Sequence, residues 1–112
     1  MSRVCALLLL AAAGLSGVAQ ASEPTRLRVT HYYATGQVMA DGQWPYYGAA
    51  ACARRFPRGT RLAFPDGWTA ECRDTGRLDE HGVDVDLFAP TPAIAREFVQ
   101  RYGDWPVVEV VP

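Results

Sequence analysis

The sequence predicts a small, mainly β protein, a closed barrel of short strands with a single late helix. Two observations indicate this fold class. Short runs of alternating or apolar residues recur between turns that contain glycine or proline. Only one segment, which starts at Thr91, combines a helix cap with helical spacing of apolar residues. A chain of 112 residues has room for one domain with one modest core.

The first residues have the pattern of an export signal. Arg3 supplies positive charge, residues 4–13 are apolar, and Ala19-Gln20-Ala21 fits a small-x-small cleavage site. We therefore predict a signal peptide at residues 1–21 and a folded domain at 22–112, exported to the periplasm or the medium, with no membrane span after cleavage. An uncleaved membrane anchor is the competing interpretation.

Cysteine number agrees with export. Removal of Cys5 with the signal leaves Cys52 and Cys72, and an even pair in a small exported chain is most simply one disulfide. Two buried free thiols are the alternative.

Short strands account for most of the domain. They are predicted at residues 26–33, 61–64, 68–73, 83–87 and 105–111, and a compact alanine run that contains Cys52 lies between the first two. Pro65-Asp66-Gly67 is predicted to close a hairpin between two of them. In the last strand, we expect all four valines to be buried in the core: Val107, Val108, Val110 and Val111.

The helix signals are strong. Thr91 is a favoured cap and is followed by a proline in the first turn. Ile94, Phe98 and Val99 are predicted to share its apolar side, and Gly103 is placed to end it.

Two aspartates near the centre of the chain point to a site. In residues 83–87, Asp84 and Asp86 alternate with apolar residues and should share one strand face. Asp74 ends the preceding strand, and a sharp turn at Gly76 followed by a hairpin would bring it near Asp86. Paired carboxyl groups are typical of glycosidic bond cleavage, in which one acts as an acid with a raised pKa. A solvated strand face is the plain alternative.

The order of these motifs resembles the 3D domain family of double-psi β-barrels, found in membrane-bound lytic transglycosylase A and related to the barrels of rare lipoprotein A and expansins. The resemblance covers roughly residues 27–111. The matching pieces are Val29-Thr30-His31-Tyr32-Tyr33, Ala40-Asp41-Gly42, Phe56-Pro57-Arg58-Gly59-Thr60, Asp74-Thr75-Gly76 and Gly82-Val83-Asp84-Val85-Asp86. Two positions depart from the family pattern, because Cys52 stands where the first aspartate is usual and Arg77 where a glycine follows Asp-Thr-Gly.

The resemblance implies a six-stranded double-psi barrel in which Asp86 is the catalytic acid and base and Asp74 assists it. Asp74 would orient its neighbours or hold up the pKa of Asp86 by like-charge repulsion. We assign substrate contacts to six further residues: Tyr33, Trp44, Tyr46, Thr75, Gly76 and Asp84. The rings of Trp44 and Tyr46, with Tyr47, would stack on sugar faces, although packing within the fold is an equal alternative.

The expected activity is lytic transglycosylase-like cleavage of peptidoglycan, or of another cell-wall polysaccharide, by a monomer without cofactor or metal. A non-catalytic wall-binding module of the expansin type is the alternative. A metal site formed by Asp74, Asp84, Asp86 and His81 is a further possibility, but no spacing here is diagnostic. A formal net charge of −1 gives no indication of nucleic-acid binding.

Overall fold

The structure is a computed structural model that describes residues 23–112. The predicted signal peptide lies outside the described residues. The strands are β1 (Glu23–Arg26), β2 (Val29–Tyr32), β3 (Ala49–Cys52), β4 (Arg61–Ala63), β5 (Thr69–Asp74), β6 (Val85–Phe88) and β7 (Val107–Val111). Helix α1 spans Pro92–Tyr102, and a short 3-10 helix spans Asp79–His81. Among residues 23–112, no helix is both long and apolar enough to cross a bilayer.

All strands belong to one mixed sheet, in the order β1-β7-β4-β5-β3-β6-β2. The pairs β2/β6 and β3/β5 are parallel and the others are antiparallel. For residues 23–112 the mainly β class with one α-helix is therefore confirmed, as a curled sheet of seven strands where the family resemblance implied six. The predicted first strand, residues 26–33, is divided, and β1 begins upstream of it.

The two edges of this sheet are formed by strands that follow each other in the chain. Only Leu27 and Arg28 separate β1 from β2. The antiparallel pairing of β1 with β7 also continues beyond β1, because Leu27 N–H donates to Pro106 O at 3.1 Å and Val29 N–H donates to Asp104 O at 2.9 Å. The sheet thus curls until its two edge strands, β1 and β2, form consecutive parts of one stretch of chain.

The inner face of the sheet forms the core. Buried side chains from most strands and from α1 pack there: Leu27, Val29, Ala50, Cys52, Leu62, Cys72, Val85, Leu87, Ala95, Phe98, Tyr102 and Val108. A disulfide joins Cys52 to Cys72, with the two Cα atoms 5.6 Å apart, which confirms the predicted pairing.

Helix α1 begins and ends where the sequence predicted. The Thr91 side chain accepts a hydrogen bond from Ile94 N–H at 3.2 Å, and Gly103 closes the helix with a φ of 63°. The buried face differs from the prediction, because it is formed by Ala95, Phe98 and Tyr102, while Val99 is 52% exposed.

Two strand predictions were wrong. In β7 the side chains alternate, so Val108 is buried whereas Val107 is 42% exposed. The hairpin expected between β5 and β6 does not form, since β3 lies between these strands and pairs with both. The hairpin between β4 and β5 is confirmed, with Gly67 at a φ of 90° in its turn.

Candidate functional site

The central strand β3 brings Asp74 and Asp86 to one place. Ala51 is paired with Asp74 on β5 and with Asp86 on β6. Side chains of paired residues point to the same face of a sheet, so the two carboxyl groups flank the small Ala51 methyl group. Two strand spacings put their Cα atoms about 9 to 10 Å apart. The sequence thus correctly predicted that Asp74 lies near Asp86 but not that β3 lies between them.

A cavity of about 320 Å³ lies over this row of residues. Its floor includes Ala51, Asp74 and Asp86, and its far wall comes from the loop that joins β2 to β3 and from the segment after β5. The carboxyl groups therefore face a partly enclosed space on the outer face of the sheet, away from the core.

Asp86 is held from β2. Thr30 lies opposite it across the parallel β2/β6 pair, and the Thr30 hydroxyl donates to Asp86 Oδ1 at 2.7 Å. Burial raises the pKa of Asp86, because the charged form loses hydration, while the Thr30 hydrogen bond and the nearby His31 oppose that rise. Burial, and not repulsion by Asp74, is thus the cause of the raised pKa.

Asp74 fastens the loop that covers the cavity. Its Oδ1 accepts hydrogen bonds from Ala40 N–H at 2.7 Å and from Thr75 N–H at 2.8 Å. An ion pair between Arg73 and Asp41, 2.8 Å long, fixes the same loop one residue further along. The side chain of Asp74 therefore positions the cavity wall as well as facing the cavity.

The sequence reasoning missed Tyr32. Its ring packs edge-on against Phe88, with the ring centroids 5.5 Å apart, and it lines the same cavity as the two aspartates. The Tyr32 hydroxyl is buried and has no hydrogen-bond partner among the described residues. Burial, together with the charges of Asp74 and Asp86, raises the pKa of Tyr32 to about 12. The sequence did contain a signal for Tyr32. It lies two residues after Thr30 on β2, and alternate residues of a strand share one face.

Four of the six predicted substrate contacts do not line the cavity: Tyr33, Trp44, Tyr46 and Asp84. Tyr33 and Asp84 belong to other features of the fold. Tyr33 is 49% exposed and faces a separate groove between β2 and α1, together with His31. Asp84 accepts from Arg28 N–H at 2.7 Å and pairs with Arg55 at 2.8 Å, so it fastens the start of β2.

Thr75 and Gly76 do line the cavity. The sequence predicted a sharp turn that depends on the backbone freedom of Gly76. Gly76 is not among the glycines with a positive φ, so the turn here does not use the left-handed conformation that glycine allows. A Cβ added there would meet only the side chain of Leu78, at an ordinary contact distance of 3.9 Å.

The aromatic residues of the β2–β3 loop divide into two groups. Tyr47 is 47% exposed, but one side of its ring packs within the fold, parallel to the ring of Phe98 and with its centroid 5.3 Å from that of Trp68. Trp44 and Tyr46 are 64% and 42% exposed and flank Pro45, which lines the cavity. These two side chains are free to meet a ligand at the mouth of the site.

The four residues considered for a metal site do not form one cluster, because Asp74 and Asp86 share the cavity whereas Asp84 and His81 lie outside it. Across residues 23–112 no three side chains of histidine, cysteine, aspartate or glutamate are placed to hold one ion. His81 is exposed on the 3-10 helix, as expected for a turn residue.

Comparisons of the chain with models of protein families, with curated proteins and with solved structures find no match.

Proposed function

We propose that this protein is an exported cell-wall enzyme that cleaves the glycan strands of peptidoglycan by a lytic transglycosylase-like reaction. The observation that carries the proposal is the position of Asp86, a carboxyl group with a raised pKa that lies near Asp74 in the floor of a cavity. A general acid needs a pKa near the working pH, and burial shifts Asp86 in that direction.

A single carboxyl group can serve both steps of this reaction. Protonated Asp86 donates its proton to the glycosidic oxygen as the bond to the anomeric carbon breaks. The resulting carboxylate then takes the proton of the 6-hydroxyl of the muramic acid residue, whose oxygen attacks the anomeric carbon. The products are a free hydroxyl end and an intramolecular anhydro sugar, so no water is consumed and Asp86 returns to its protonated form.

The finer description of the fold belongs to the same proposal. We infer a six-stranded double-psi barrel in which β1 and β2 are one bent strand that closes the sheet. The continued pairing of residues 27 and 29 with residues 106 and 104 supports the closure. The two parallel pairs among otherwise antiparallel strands support the proposed topology. Export is supported by the Cys52–Cys72 disulfide, which is typical of oxidising compartments.

The test is product analysis with isolated peptidoglycan. We expect the wild-type protein to release fragments with anhydro-muramic ends, detected by mass spectrometry, and Asp86→Asn to release none. Asp84→Asn is the matched control, because Asp84 lies two residues away but outside the cavity, and it should keep activity. Full activity of Asp86→Asn would contradict the assigned role.

A second candidate is a wall-binding module without turnover, and the exposed Trp44 and Tyr46 favour it. Aromatic rings at a cavity mouth stack on sugar faces without any need for an acid. This function predicts saturable retention on sacculi without released fragments, and loss of retention in Trp44→Ala. Tyr47→Phe serves as the control, because the Tyr47 ring is committed to packing against Phe98.

A further inference from the structure

The Tyr32 hydroxyl is an unusual group to bury. It is a polar atom shielded from solvent, and none of the described residues offers it a hydrogen bond. Buried polar groups are nearly always paired, and an unpaired one lowers stability. A fold that needed only the tyrosine ring against Phe88 would gain by having phenylalanine at this position.

The surroundings of Tyr32 fix the form in which the hydroxyl exists. With a pKa of about 12, the group keeps its proton at any physiological pH. It is therefore a hydrogen-bond donor and not a base or a nucleophile. Asp74 and Asp86 both lie close enough to disfavour the phenolate by their charge.

The two carboxyl groups each keep one oxygen available. Oδ1 of Asp74 is occupied by Ala40 and Thr75, and Oδ1 of Asp86 by Thr30. Within the part of the chain that the structure describes, neither Oδ2 atom accepts a hydrogen bond from another residue. The cavity thus holds two free carboxyl oxygens, besides polar side chains on its wall such as Gln37 and Arg77. A group that moves the present cover of the Tyr32 hydroxyl finds a fixed donor beside them.

We propose that Tyr32 is a substrate-binding residue whose hydroxyl donates a hydrogen bond to a sugar hydroxyl, which in turn donates to Oδ2 of Asp74. A sugar hydroxyl is both acceptor and donor, so it satisfies both groups at once. Arg77 also lines the cavity, but its single positive charge is outnumbered by the two carboxyl groups, which disfavour an anionic group, and an apolar group would leave Tyr32 unpaired. The bound hydroxyl lies beside the glycosidic bond that Asp86 protonates and is distinct from the attacking one.

This inference rests on the proposed function, and it deepens that proposal by naming the group that holds the sugar in place. It also explains an open position in the fold. Ala51, the residue between the two aspartates, has a side chain too small to reach Tyr32 or to fill the space, and that space is where the sugar would lie.

The test is Tyr32→Phe, which removes the hydroxyl and keeps the ring. Binding to isolated sacculi is measured by sedimentation in an Asp86→Asn background, so that the glycan is not consumed. We expect roughly three- to tenfold weaker binding, the usual range for one lost hydrogen bond. The melting temperature should be unchanged or higher. Tyr33→Phe is the matched control and should bind as the parent does, because Tyr33 lies outside the cavity.

The outcomes separate this inference from the proposed function. Unchanged binding of Tyr32→Phe, with a parent protein that binds and a wild type that cleaves, would overturn the role of Tyr32 alone. A lower melting temperature of Tyr32→Phe would show that the hydroxyl is bonded within the fold, and would also overturn it. A wild-type protein that neither binds nor cleaves peptidoglycan would overturn the proposed function together with this inference.

Discussion

Loss of the Cys52–Cys72 disulfide should remove a large part of the stability of this domain. The two cysteines are 20 residues apart in the chain, and closing a loop of that length stabilises the folded state by about 3 kcal/mol in the chain-entropy model. Domains of this size have unfolding free energies of about 5 to 15 kcal/mol. For such a domain, 3 kcal/mol corresponds to a fall of about 12 to 24 °C in melting temperature.

The assay is urea unfolding followed by tryptophan fluorescence. Its change should come mainly from Trp68, which packs against Phe64 and Phe98, because Trp44 and Trp105 are already exposed in the fold. Both cysteines are almost fully buried, so the protein should be unfolded in reductant and refolded before measurement. The matched control is the double variant Cys52→Ala/Cys72→Ala. Reductant should not change the unfolding midpoint of this variant.

Two results would refute the reasoning. The first is an equal unfolding midpoint for the oxidised and reduced protein. The second is alkylation of Cys52 and Cys72 in denatured protein that was never reduced, since a disulfide leaves no thiol to react.

The other predictions concern Asp86, Thr30, α1 and its aromatic contact. Because burial raises the pKa of Asp86 in the fold, its contribution to stability is present at low pH and lost as pH rises through the raised pKa. The Asp86→Asn variant should therefore melt at a higher temperature than the wild type at pH 7, and at the same temperature at low pH. A difference in melting temperature that is equal at all pH values would contradict the burial argument. Thr30→Val removes the hydrogen bond that opposes this rise, so the alkaline decline of glycan cleavage should move to higher pH; an unchanged pH profile would exclude that role. Thr91→Ala removes the cap of α1 and should lower the unfolding free energy by about 1 kcal/mol in urea titration. Phe98→Ala should lower it by about 3 to 5 kcal/mol, because Phe98 is buried against Trp68 and Tyr102; a loss similar to that of Thr91→Ala would contradict its place in the core.

Local signals were sufficient where a structure is decided by neighbours in the chain. The Thr91-Pro92 start and the Gly103 end of α1 depend on contacts within one helical turn. The hairpin at Gly67 depends on a turn of a few residues. Both were therefore predictable from the sequence.

Long-range pairing was not predictable in the same way. Asp74 and Asp86 meet because β3, which precedes both in the chain, pairs with β5 on one side and β6 on the other. Nothing in residues 74–86 encodes that intervening strand. A hairpin was the simplest local solution, and it gave the right proximity by the wrong connection.

The choice between Tyr32 and Tyr33 shows why the site was only half predicted. The two residues are adjacent, and alternation places them on opposite faces of β2. Composition cannot say which face the β2–β3 loop will cover. That choice is made by the hydrogen bonds of Asp74 and the ion pair of Asp41, which draw the loop over Tyr32 and leave Tyr33 exposed.

The position of Cys52 bears on the missing aspartate of the proposed family. Cys52 is paired with Val85, is buried on the inner face of the sheet and is bonded to Cys72. A carboxyl group at this position would thus face the core and could not join Asp74 and Asp86 in the cavity. In this chain the Tyr32 hydroxyl lies near the two carboxyl groups instead and adds a donor without a further negative charge. Two carboxyl groups and one donor match a neutral sugar better than three carboxyl groups would, because every added negative charge must be either desolvated or repelled.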